Sequence, residues 1–171
     1  MTPTFNRNPE DGSGSEPTLA EMARVALASL EKNPEGFFLV VEGSQIDWAN
    51  HANHLEYQVK EIQAFDQAVA TVQEWIAADP DRESETLVIV VPDHDCGGFA
   101  ITGPQGHNVS GPGELVKGKW LGGGQHTAED TLIWSSGPYS RFLSRAVDNT
   151  DLFKVMKSAM EGLPGDPLGR P

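Results

Sequence analysis

Two short apolar runs constrain this chain more than anything else in it. Phe37-Phe38-Leu39-Val40-Val41 and Leu87-Val88-Ile89-Val90-Val91 are each five residues long and rich in β-branched side chains. Runs of that length and composition read as buried strands. Between them, Val59, Ile62, Phe65, Val69, Val72 and Ile76 recur three or four apart over Leu55–Ala78, the spacing of one helix face. A strand, a long helix and a second strand point to an α/β fold with a mostly parallel sheet. The rest of the pattern agrees. Leu19, Met22, Ala23, Ala26, Leu27 and Leu30 predict a helix opening at Pro17-Thr18 and stopped by Asn33-Pro34. Asp79-Pro80-Asp81 closes the long helix. Thr131–Trp134 reads as a third strand, ended by Ser136-Gly137-Pro138, and residues 150–161 as a last helix. Residues 1–16 and the tail from Leu163 lack a period and read as loop or flexible ends.

With 171 residues the chain can bury one sizeable core. Its net charge of −13 repels phosphate backbones and argues against nucleic-acid binding. No apolar run is long enough to span a membrane. Cys96 is the single cysteine, so no internal disulfide forms.

Chemistry-bearing residues collect at the ends of the predicted strands. Glu42 follows the first and Asp93-His94 follow the second. In open α/β sheets, ligands bind beyond the carboxyl ends of strands. Asp47 and His51 are four apart and therefore share one face of a helical turn. His126 comes after Gly122-Gly123-Gly124-Gln125, just before the third strand. Taken singly, each has a plain reading: a solvated strand end, a surface pair, a turn. His54 and His107 have no partner pattern and read as surface residues. Together, histidine with aspartate suits zinc, and glutamate with water suits magnesium.

The segment Glu42-Gly43-Ser44-Gln45-Ile46-Asp47-Trp48-Ala49-Asn50-His51 closely resembles the Glu-Gly-x-x-Ile-Asp-x-x-x-His block of alkaline phosphatases. Thr86 to His94 resembles their strand ending in Asp-His. Gly124-Gln125-His126-Thr127, Ser136-Gly137-Pro138 and Asp148 to Phe153 resemble their C-terminal blocks, in the same order. The similarity runs over about residues 17–162, with a short crown-type insertion at about 99–124. It implies a metal-dependent phosphomonoester hydrolase with two zinc ions and one magnesium ion. It implies that Asp47, His51 and His126 hold one zinc, that Asp93 and His94 join a second, and that Glu42 serves magnesium. Trp48 falls where the family varies and often touches the phosphate side, although packing is the more ordinary role for a tryptophan.

Two departures stand out. Pro92 replaces a small residue before Asp-His, which a strand end tolerates. No Asp-Ser pair, the family's nucleophile motif, occurs in the sequence. Ser13, Ser15 and Ser44 are poor substitutes, so no catalytic nucleophile is assigned. Nothing in the chain resembles the family's early aspartate or its phosphate-clamping arginine either. The chain therefore resembles the C-terminal part of such an enzyme, inactive alone and needing the N-terminal part as partner. The family further implies a homodimer in the periplasm or outside the cell. A non-catalytic zinc module, or another member of the phosphatase, sulfatase and phosphomutase superfamily, are the alternatives.

Overall fold

The structure, a computed structural model, describes residues 3–4, 13–102 and 118–169. Its helices are α1 (Leu19–Leu30), α2 (Gln45–His51), α3 (Leu55–Ala77), α4 (Pro80–Glu85) and α5 (Asn149–Glu161). Its strands are β1 (Val88–Val90), β2 (Asp95–Cys96), β3 (Phe99–Ile101), β4 (Gly118–Trp120), β5 (His126–Thr127) and β6 (Trp134–Ser136). Two compact units form from the described residues within 1–19, 42–67 and 93–130, and within 20–41, 68–92 and 131–171. His107 and most of the expected insertion lie outside the described residues.

In the second unit, Val155, Leu143 and Phe142 form the core, and Val155 is fully buried. Leu87, Ile89, Ile133 and Leu152 pack against them. β1 pairs with β6, with Val88 opposite Ser136 and Val90 opposite Trp134. This pairing is antiparallel, as are β2 with β5 and β3 with β4. The expectation of a mostly parallel sheet is therefore not met among the described residues. A parallel neighbour for β1 needs a second strand delivered by a crossover. The segment 37–41, expected to be that strand, joins no ladder. It is not fully buried either: Phe38 and Val40 are exposed while their neighbours are half-buried. That alternation is the period of an extended segment covered on one face only. The third strand also begins later than its apolar residues suggest: the ladder starts at Trp134, and Ile133 packs against the core just before it.

The helices follow the expected spacing. α1 turns Ala23 and Leu27 inward. Glu31 accepts hydrogen bonds from Trp75 Nε1 at 2.8 Å and Arg82 Nη2 at 2.9 Å. Arg82 also lies 4.1 Å from the centre of the Trp75 ring. The Asp79-Pro80 pair that ends α3 also starts α4: Asp79 accepts from the Asp81 amide, and Pro80 fills the first position. The sequence pattern showed only the stop.

α5 begins with a reciprocal cap. Asp148 accepts from the Thr150 amide at 2.9 Å, and Asp151 accepts from the Asp148 amide at 3.2 Å. Gly162, in the left-handed region, ends the helix. The backbone and hydroxyl hydrogen bonds of Thr150 hold the Asp148 carboxyl below the usual carboxylate value. A depressed folded-state pKa stabilises at pH above the unfolded value, near 3.8, and that contribution disappears as pH falls through the folded value. Asp148→Ala is thus expected to lower the melting temperature at pH 7 and to narrow the difference from the native protein below pH 3.8. Thermal melts of both proteins across that range measure it.

The first unit is pinned around Asn50, which is buried in α2. Its side-chain oxygen accepts from Gln58 Nε2 at 2.8 Å and Trp120 Nε1 at 2.7 Å, and its amide donates to the Ile46 carbonyl at 2.8 Å. The Tyr57 hydroxyl donates to Gln45 Oε1. These bonds lock the short helix α2 against α3 and β4. A seven-residue helix cannot hold its own shape in water, so the orientation of Asp47 and His51 rests on these partners.

Candidate metal centre

α2 presents Asp47 and His51 one turn apart, with His51 Nε2 3.2 Å from Asp47 Oδ2. The loop before β5 brings Gly124 against the end of this helix. The His51 ring places Nδ1 2.7 Å from the Gly124 carbonyl. A carbonyl only accepts, so Nδ1 carries a proton, and in the neutral ring Nε2 then presents a lone pair. Gly124 adopts a φ of +76°, and a Cβ there would stand 2.6 Å from the His51 carbonyl oxygen. Only glycine permits this approach.

His126, on β5, closes the group. Its Nε2 lies 3.1 Å from His51 Nε2 and 3.4 Å from Asp47 Oδ1. Asp47 Oδ1 is buried and receives no hydrogen bond. Two ring nitrogens and a carboxylate turned toward one point repel each other unless a cation, a proton or a metal ion, lies among them. Their spacing suits a metal: bonds of about 2.0–2.1 Å in a tetrahedron put zinc ligands about 3.3 Å apart.

His94 stacks on His126, with ring centres 3.6 Å apart. Its Nε2 is 3.3 Å from Asp93 Oδ2, while its Nδ1 is buried without a hydrogen-bond partner. Asp93 itself is largely exposed. Glu42 is exposed and lies outside the converging group. Trp48 is 64% exposed beside Asp47. His54 serves the local backbone: its Nδ1 accepts from the Tyr57 amide at 3.1 Å and caps α3.

Cys96 is the residue that sequence reasoning passed over. Its sulfur and one donor atom each from Asp47, His51 and His126 lie within 4.8 Å of one another. It stands directly opposite His126 in the β2–β5 ladder. The neighbouring pair, Asp95 and Thr127, joins through a 2.6 Å hydrogen bond. Burial first, then the hydrogen bond and charge of Asp47, push the Cys96 thiol up to about 11. A signal was present in the sequence: Cys96 is two residues from His94, and alternate residues of an extended segment share a face.

Known proteins resemble the chain in both sequence and structure. The alkaline phosphatase family model matches residues 4–120. The alkaline phosphatase of Escherichia coli K12 is 33% identical over 92% of this chain and 34% of its own length. Alkaline phosphatase 4 of Bacillus subtilis is 42% identical over 53% of this chain and 19% of its own. A solved variant of the alkaline phosphatase of the Antarctic bacterium TAB5, with magnesium in its M3 site, superposes with a TM-score of 0.72 at 30% identity. That match covers 90% of this chain and 43% of the other. The matched stretches thus span about a third or less of the two curated relatives. With the ordered motifs, the clustered histidines and the α/β neighbours in agreement, the chain belongs to the alkaline phosphatase family.

Proposed function

We propose that this chain supplies metal ligands to a phosphomonoester hydrolase of the alkaline phosphatase type. One observation carries the reading. Asp47, His51 and His126 offer three donors at zinc-like spacing, one of them a buried carboxylate oxygen with no hydrogen bond. These three hold one zinc ion. His94 and Asp93, beside His126, contribute to a second, and Glu42 contributes to magnesium. Divalent ions so held supply positive charge to the attacking and leaving oxygens of a phosphoryl group.

The chain's own residues prepare that site. The Gly124 carbonyl fixes the His51 tautomer, which leaves Nε2 free as a ligand. Asn50 and its partners hold α2 in place. Exposed Trp48 borders the site on the substrate side. The serine nucleophile comes from the N-terminal part of the fold, so this chain turns nothing over alone. The assembled enzyme is a homodimer acting in the periplasm or outside the cell. Among the described residues, no helix is long and apolar enough to cross a membrane.

The test pairs this chain with an N-terminal segment of a family member that carries Asp-Ser-Ala. Hydrolysis of an aryl phosphate is expected with zinc, magnesium and both parts present, and from neither part alone. Family-like rates from the lone chain would falsify the claim that the nucleophile lies elsewhere. A zinc module without turnover is the second reading, and the nearness of Cys96 to the three donors favours it.

A further inference from the structure

We infer that Cys96 is a fourth donor to the metal held by Asp47, His51 and His126, giving this chain a sulfur-containing site. The inference rests on reading that cluster as a metal centre. Three observations support the sulfur.

The first is register. Cys96 pairs directly with His126 in an antiparallel ladder, and directly opposed residues project from the same face, about 5 Å apart. β5 cannot present His126 to the cluster without β2 presenting Cys96 beside it. The second is proximity. The sulfur and the three other donors lie within 4.8 Å of one another, so a zinc–sulfur bond of about 2.3 Å is reached by side-chain movement on the order of an ångström. The third is burial of a sulfur whose hydrogen-bond contact is weak. Cys96 is 8% exposed, and no second cysteine is present in this sequence for an internal disulfide. Its contact with the Asp47 carbonyl is long, at 3.9 Å, and the sulfhydryl is a weak donor.

Binding replaces the thiol proton, which passes to solvent, with a sulfur–metal bond. A thiolate among two imidazoles and a carboxylate biases the site toward zinc, cadmium or cobalt and against magnesium, which prefers oxygen. Four protein ligands also close a tetrahedral site. A metal so held would be less acidic than one bound by imidazole and carboxylate alone.

Cobalt is the probe, because thiolate-bound Co2+ gives an intense near-ultraviolet charge-transfer band and tetrahedral Co2+ gives separate visible bands. The full chain loaded with Co2+ is expected to show both. Cys96→Ser should lose the near-ultraviolet band and keep the visible ones. Visible bands without the charge-transfer band in the native sequence would overturn the inference and leave the metal centre standing. A near-ultraviolet band that survives in Cys96→Ser would overturn it too. No cobalt bound at all would sink both the inference and the centre it rests on. The reading in the native sequence does not depend on the variant folding.

Discussion

His51→Ala or His126→Ala, introduced singly into the full chain, is expected to remove one bound zinc and to weaken that site by more than ~100-fold. The figure is a lower bound, because losing an outer-shell partner alone costs about 10–100-fold, and these are direct donors. Asp47→Asn should act similarly: the amide keeps the shape but puts an N–H donor where one carboxylate oxygen now receives no hydrogen bond. All three side chains are at least one-third exposed, so the fold should survive and far-ultraviolet circular dichroism should barely change. His54→Ala is the control. That imidazole caps α3 through the Tyr57 amide and lies outside the donor group, so it should cost some stability and no zinc. Zinc titration by calorimetry after dialysis against chelator reads all four variants. Equal zinc loss from His54→Ala, or none from His51→Ala, would remove the case for this centre.

Gly137→Ala should be the most damaging single substitution in the second unit. Gly137 follows β6 with a φ of +84°, and a Cβ there would stand 1.9 Å from the Thr86 carbonyl oxygen. Two costs add. The left-handed conformation costs a non-glycine residue about 1–2 kcal/mol. Overpacking against rigid backbone costs about 1–3 kcal/mol more. Thr86 leads into β1, which β6 pairs with, so relief by movement would break that ladder. A loss of roughly 3 kcal/mol corresponds to a fall in melting temperature of about 6–12 °C for a chain of this size. Hydrogen exchange read by mass spectrometry should show residues 86–91 and 131–137 losing protection first. A melting temperature within about 2 °C of the native value, roughly half a kcal/mol, would show that the turn has room the structure does not give it.

The apolar periods located the helices well. α1, α3 and α5 fall where spacing predicts, because a helix needs only its own hydrogen bonds and one stripe to bury. Strand pairing was less legible. The run at 37–41 looks as buried as the run at 87–91, yet Phe38 and Val40 are exposed and no ladder forms there. A strand needs a partner, and apolarity cannot say whether one is at hand. Trp134, at 59% exposed, and Leu132, at 69%, make the same point. These uncovered faces are where an isolated chain is expected to aggregate.

By itself, the sequence determined the residue types of the site and their order: Asp47 and His51 a helical turn apart, Asp93-His94 after a strand, and His126 after a glycine run. That order is local, so it survives in one dimension. Only the tertiary structure decided which donors meet. It brought His126 to 3.1 Å from His51 across 75 positions of chain, fixed the His51 tautomer with a glycine carbonyl, left Glu42 outside the group and added Cys96 through cross-strand register. The physical reason is that a metal site is a matter of distances between donor atoms a few ångströms apart, and those distances are set by packing and pairing between segments remote in sequence.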